Sequence, residues 1–71
     1  MNKRSQVKIV REGRFVAEVD IEVIDSQEGW SPYISLEDAY RLDDVRKALQ
    51  REDVKSASKL SRVFLLTPVA G

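Results

Sequence analysis

The stretch that divides this chain reads Gly29-Trp30-Ser31-Pro32-Tyr33-Ile34-Ser35-Leu36-Glu37-Asp38. Before it, apolar and polar residues alternate as in β-strands, and after it apolar residues recur at helical spacing. At its end, Ser35 and Asp38 form a helix-start signature. Trp30 and Tyr33 either fill the gap between sheet and helices or form a surface that binds a partner, and the small size of the chain favours the first interpretation.

The alternation over 6–24 predicts a β-hairpin with a turn at Glu12-Gly13. A loop of these two residues alone would divide the apolar residues between both faces of the sheet. A loop of three residues, 12–14, keeps the apolar residues on one face, and we therefore expect it. It predicts the following side-chain pairs: Val7 with Val19, Ile9 with Ala17, Arg11 with Phe15, Lys8 with Glu18, and Arg4 with Glu22.

The apolar residues of 36–50 fall on two opposite sides of one straight helix. Either this helix is wedged between two layers, or it breaks near Leu42 with Asp43 as a new N-cap. We favour the break, because the acidic pair 43–44 resembles the first turn of a helix. A second short helix is predicted to begin at Glu52-Asp53.

The run 62–67 is rich in β-branched and aromatic residues and predicts a third strand. Its apolar residues are consecutive, so it needs cover on both faces or a central place in the sheet. Pairing with a second copy across a two-fold axis would satisfy it. We predict a single α+β domain over 1–71, in which an antiparallel sheet, built from an N-terminal hairpin and a C-terminal strand, carries two or three short helices on one face (ββααβ).

Composition limits the function. The 71 residues include no cysteine and no histidine, so disulfides and the usual zinc ligands are excluded. A net charge of zero hides three blocks, because 1–17 and 45–71 are basic and 18–44 is acidic. The blocks either pair within the fold or a dimer, or present an acidic face to a basic partner. No apolar run reaches membrane-spanning length, and we expect a cytoplasmic protein.

Candidate chemistry is sparse. The acidic pairs 37–38, 43–44 and 52–53 fit helix N-termini, where negative charge is favourable. The row Glu18, Asp20 and Glu22 fits the solvent face of a strand better than a metal site. Serines lack an activating base, and no glycine-rich phosphate loop is present. We therefore predict a non-enzymatic protein with no cofactor, metal or small-molecule substrate.

The predicted function is a protein–protein interaction module that acts as a homodimer or with a larger protein. The candidate contact surface combines aromatic anchors with an acidic rim, as interfaces often do: Trp30, Pro32, Tyr33, Glu28, Glu37 and Asp38. The alternative is a nucleic-acid-binding regulator that uses the basic helical block 46–62, with four residues as candidates: Arg46, Lys47, Lys55 and Lys59.

Over 20–70 the chain resembles a group of small bacterial proteins without an assigned function, through four segments: Gly29-Trp30-Ser31-Pro32-Tyr33, Ser35-Leu36-Glu37-Asp38-Ala39, Leu42-Asp43-Asp44-Val45-Arg46-Lys47-Ala48-Leu49 and Leu66-Thr67-Pro68-Val69. More loosely, a hairpin that leads through Gly-aromatic-x-x-Tyr into a helix is similar to HicB-like antitoxins. That resemblance implies a regulatory or antitoxin-like partner. The long third strand of those antitoxins is missing here, and the resemblance assigns no functional residue.

Overall fold

The computed structural model describes residues 2–25 and 32–69. The elements follow in the order β1 (Asn2–Glu12), β2 (Phe15–Asp25), β3 (Tyr33–Ile34), α1 (Leu36–Gln50), α2 (Val54–Leu60) and β4 (Arg62–Leu65). All strand pairs are antiparallel, and β2 is central, with β1 on one edge and both β3 and β4 on the other. The predicted α+β class and ββααβ order are confirmed, with the short strand β3 added between hairpin and helix.

The core lies between the sheet and the two helices. The odd-numbered residues of β2 from Ala17 to Val23 are buried, as the alternation predicts. Five further residues complete the core, and they come from β1 and both helices: Val10, Val45, Ala48, Leu49 and Ala57. The even-numbered residues of β2 lie on the opposite face of the sheet, which we call the outer face.

The hairpin turn differs from the prediction. It consists of Gly13-Arg14, and Glu12 pairs directly with Phe15. Gly13 has a φ of 58°, which glycine adopts at no steric cost and which tight hairpin turns require. The expected loop 12–14 is therefore wrong. Because side chains alternate with a period of two, this slip of one residue places every β1 side chain on the other face.

As a result, β1 turns its even-numbered residues to the core side. Val10 lies opposite Ala17 and is buried, whereas Val7 and Ile9 lie on the outer face and are exposed. The predicted pairs are wrong for this reason: Val7–Val19, Ile9–Ala17, Arg11–Phe15, Lys8–Glu18 and Arg4–Glu22.

The helices and the last strand follow the prediction in part. Residues Leu36–Gln50 form one continuous helix, so the predicted break near Leu42 is wrong. Helix α2 begins after its N-cap Asp53, as predicted. The predicted third strand is present as β4, but it lies at an edge, and its one strand partner within 2–25 and 32–69 is β2. Within the described residues, neither helix has the length and apolar character to cross a bilayer.

Candidate functional site

Helix α1 starts with a polar anchor that ties it to the central strand. Ser35 is the N-cap, and its hydroxyl oxygen accepts the Asp38 backbone N–H at 3.1 Å, as the helix-start signature predicts. The Asp38 carboxylate accepts the backbone N–H of Glu22 in β2 at 2.8 Å. The backbone of Asp38 thus takes part in the helix cap, whereas its side chain satisfies a backbone N–H of the sheet.

Arg41, three residues further along α1, extends this anchor. Its Nη1 donates to the backbone carbonyl of Asp20 at 2.9 Å and lies 3.4 Å from Asp38 Oδ1. On one edge of β2, β4 pairs with residues 15–18 and β3 pairs with residues 23–24. Residues 19–22 pair with β1 on the other edge, but on this edge they have no strand partner among the described residues. The side chains of Asp38 and Arg41 lie in that gap, where they bond the Glu22 N–H and the Asp20 carbonyl in place of a neighbouring strand.

The predicted contact residues are found in different environments. Glu28 and Trp30 lie outside the described residues, while Pro32, Tyr33 and Glu37 are exposed. Asp38 is only 7% exposed, and its carboxylate is already bonded to β2. The exposed part of the predicted surface therefore consists of Pro32, Tyr33 and Glu37.

Two exposed apolar residues that the predicted site omitted lie beside this surface. Leu36 and Tyr40 are 67% and 60% exposed, and their spacing of four places them on the same side of α1. We call Leu36 and Tyr40 the α1 patch. The two-sided apolar pattern of 36–50 was the signal that could have identified it, because the sheet buries only the side that carries Val45 and Leu49.

Acidic side chains lie around the α1 patch. Glu37 and Asp44 are exposed and have no ion pair with any residue in the described ranges. Asp43 pairs with Lys47 at 3.0 Å, and that hydrogen bond raises the pKa of the Lys47 ammonium. The patch therefore combines an apolar centre with an acidic rim.

The four residues of the predicted nucleic-acid site divide between the two helices. Arg46 lies 3.8 Å from Glu12, and Lys47 pairs with Asp43, so both are engaged within the fold. Lys55 and Lys59 are exposed on α2 and have no ion pair within 2–25 and 32–69. Ion pairs of this kind reduce the positive potential that phosphate contacts need, and nucleic-acid binding stays a prediction.

Two of the three acidic residues in the row of β2, Glu18 and Asp20, are bonded to an arginine of β4. Arg62 in β4 donates from Nε to Glu18 at 3.0 Å, and from Nη1 and Nη2 to the two carboxylate oxygens of Asp20 at 2.8 and 2.9 Å. The hydrogen bond from Arg62 lowers the pKa of Asp20, and the two carboxylates raise the pKa of Arg62. Among the described residues, no group of acidic side chains could hold a metal ion.

A second apolar surface follows the outer edge of β4. Phe64, Leu65 and Leu66 are all exposed along this edge. Next to them is an open depression of about 760 Å³, lined by Arg11, Gly13, Arg14, Leu65, Leu66, Thr67 and Pro68. The side of segment 63–66 that faces away from β2 has no strand partner among the described residues, and we call it the β4 edge.

Comparisons with known proteins add no assignment. No protein-family model, curated protein or solved structure matches this chain. The resemblance to HicB-like antitoxins therefore stays a prediction.

Proposed function

We propose that this chain is a non-enzymatic protein–protein interaction module of the cytoplasm, which acts as a homodimer or with a larger regulatory partner. One observation carries the proposal: large apolar side chains are more often exposed than buried. In the described ranges, eleven large hydrophobic residues are exposed, whereas the core contains nine residues, three of them alanine. Where such residues are contiguous, as in the α1 patch and along the β4 edge, exposed apolar surface marks sites of association.

The energetic argument follows from size. A chain of this length buries a smaller fraction of its surface than larger domains do, so its own core is marginal. Each apolar Å² that a partner removes from water contributes roughly 25 cal/mol. A partner that covers exposed leucine and aromatic side chains would therefore stabilise the folded chain as well as bind to it.

The α1 patch is the proposed contact surface for a different protein. Tyr40 is a rigid amphipathic side chain of the type that anchors interfaces, and Leu36 lies one helical turn before it. Glu37 and Asp44 place negative charge beside them, which favours a partner whose apolar surface has a basic rim. An antitoxin-like role is compatible with such a surface and comes from the resemblance alone.

Sedimentation equilibrium tests the homodimer. The full chain is measured from about 1 μM to about 1 mM, the range in which weak protein pairs assemble. We expect the mass to rise from 8.1 kDa towards twice that value as the concentration increases. A mass of 8.1 kDa at every concentration would contradict self-association.

Paired substitutions test the α1 patch. Leu36→Ser combined with Tyr40→Ser should leave the melting temperature nearly unchanged, since both side chains are exposed. The same double variant should lose binding to a purified partner that was first isolated by affinity capture on the wild-type chain. Val54→Ser is the matched control, because Val54 is also exposed but lies on α2. Equal binding by all three proteins would refute the proposed contact surface.

A further inference from the structure

Three strands, β1, β3 and β4, pair only with β2 among the described residues. Strand β3 has only two residues, so β1 and β4 are the longer edges. We infer that the homodimer forms through the β4 edge, which pairs antiparallel with the β4 edge of a second copy across a two-fold axis. This inference rests on the proposed homodimer and specifies its interface. It would join two four-stranded sheets into one continuous sheet.

The β1 edge opposes self-pairing because of its charge. Its eleven residues include four cations: Lys3, Arg4, Lys8 and Arg11. If a two-fold axis normal to the sheet relates the two copies, residues that lie opposite each other across the new edge are on the same face of the sheet. The axis must therefore pass beside a residue that pairs with its own copy, and it cannot pass between two consecutive residues. The three registers that pair most of the strand place Arg4 opposite Lys8, Lys3 opposite Arg11, or Lys8 opposite itself. Like charges directly opposite each other destabilise a strand pair, and charged edges are a common protection against such pairing.

The β4 edge lacks this protection. The charged residue within β4 is Arg62, whose guanidinium is already bonded to Glu18 and Asp20. The residues that follow are apolar, and Leu65 is 57% exposed. An exposed apolar edge of this kind is a template for another strand.

The backbone of β4 is oriented for such pairing. The Leu66 N–H donates to the Arg14 carbonyl at 2.7 Å, so these two residues form a hydrogen-bonded pair. In an antiparallel ladder, hydrogen-bonded pairs alternate with pairs whose N–H and C=O groups point away. Val63 and Leu65 therefore direct their N–H and C=O groups to the unpaired side, where a second strand can bond them.

The register that fits best places Leu65 on the two-fold axis. Leu65 then pairs with the partner's Leu65, Val63 lies opposite the partner's Thr67, and no charged residue belongs to the paired set. Phe64 of the second copy would lie opposite Leu66 on the outer face, beside the 760 Å³ depression that Leu66 and Pro68 line. A register centred on Phe64 would instead place Arg62 opposite Leu66.

Single-cysteine variants test the interface, since the native chain contains no cysteine. Leu65→Cys is compared with Ile9→Cys, because Ile9 is similarly exposed, at 55%, but lies on β1. A residue on the two-fold axis has its partner's Cα within about 4.4–6.8 Å, the range that permits a disulfide. Under mild oxidation of the full chain, we expect Leu65→Cys to form a covalent dimer about tenfold faster than Ile9→Cys, since its two thiols are held at high effective concentration. Faster crosslinking of Phe64→Cys would overturn the register, and crosslinking of Ile9→Cys at an equal or faster rate would overturn the choice of edge.

Leu65→Lys gives a second measurement that needs no oxidation. It places two ammonium groups across the proposed axis, and the exposed position tolerates the side chain in the folded monomer. We expect a monomer mass with an unchanged circular dichroism spectrum, whereas Ile9→Lys should keep the dimer. A folded Leu65→Lys dimer would overturn the β4 interface alone. A monomeric wild-type chain would overturn the proposed homodimer itself.

Discussion

The two halves of α1 are attached to the sheet by different forces. In the C-terminal half, Val45 and Leu49 are buried against β2 and β1, so apolar packing holds the helix. In the N-terminal half, Asp38 and Arg41 bond the backbone of β2, while Leu36 points to solvent. An apolar side chain on a helix therefore does not by itself reveal which part of the helix packs against the sheet. Here the polar residues make the contact at one end and leave the apolar surface exposed.

The largest expected effect separates the two halves directly. Leu49→Ala removes a buried side chain and should lower the free energy of unfolding by about 2–5 kcal/mol. Leu36→Ala makes the same chemical change on the same helix at an exposed position, so its effect should stay within about 0.5 kcal/mol. Urea denaturation measures both values. Equal losses would show that the two sides of α1 are not distinguished by burial.

The polar anchor gives the next largest effect. Asp38→Ala removes the acceptor of the Glu22 N–H and should cost about 1–3 kcal/mol, since a partly buried donor loses its partner. Asp38→Asn keeps an oxygen that can accept this hydrogen bond, so it should cost clearly less in the same denaturation experiment. If both variants lose the same stability, the charge beside Arg41 matters more than the bond to β2.

Much of the fold follows from the sequence, because periodicity reports local burial. The alternation of β2 predicted its buried face, and Ser35 predicted the start of α1. The hairpin register was wrong because the loop 12–14, which gathers the apolar residues on one face, was preferred to a loop of Glu12-Gly13, and neither is the observed turn Gly13-Arg14. The structure instead leaves Val7 and Ile9 exposed, an arrangement that local pairing rules cannot foresee.

The contacts of the candidate site were less predictable, since they join distant segments. The sequence placed the Asp38 carboxylate at the start of a helix. Its partner is the Glu22 N–H of β2, which lies in the gap between β3 and β4 on this edge of the sheet. The cation that binds Asp20 is Arg62, which is 42 residues away in the sequence. Leu36 and Tyr40 were recognised as apolar, but only the sheet decides which side of the helix is covered.

A substitution just after the C-terminal end of α1 should have a smaller effect on the free energy of unfolding, and this effect should be stabilising. Glu52 has a φ of 58°, and two hydrogen bonds close the helix around it: Glu52 N–H to Leu49 O at 3.0 Å and Asp53 N–H to Ala48 O at 2.8 Å. Glycine usually occupies this left-handed position. Glu52→Gly should therefore raise the unfolding free energy by roughly 0.5–1 kcal/mol, the relief of backbone strain less the added chain entropy. Glu52→Ala is the control that removes the carboxylate and keeps the strain, and an equal gain from it would contradict the backbone explanation.

The smallest expected effect is on the pH dependence of stability, and it concerns Asp20 in β2, the strand to which Asp38 and Arg41 of α1 are bonded. The hydrogen bond from Arg62 lowers the pKa of Asp20 in the folded chain, with Arg41 adding a weaker attraction. A folded pKa below the unfolded value gives stability that is fully present above the unfolded pKa and is lost as the pH falls through the folded pKa. Melting temperatures measured from about pH 7 to about pH 2 should therefore fall less steeply for Arg62→Met than for the wild type.

Some acid dependence must remain in Arg62→Met, because the hydrogen bonds from Ser56 lower the pKa of Asp53 independently. Asp53→Asn is thus the matched variant, which should remove the other part of the dependence and leave the contribution of Asp20. Asp20 and Arg62 are exposed, so water and salt screen their attraction, and the change should shrink further at high ionic strength. Superimposable pH profiles for wild type and Arg62→Met at low salt would mean that β4 is joined to β2 by its backbone and apolar side chains, without a contribution from this ion pair.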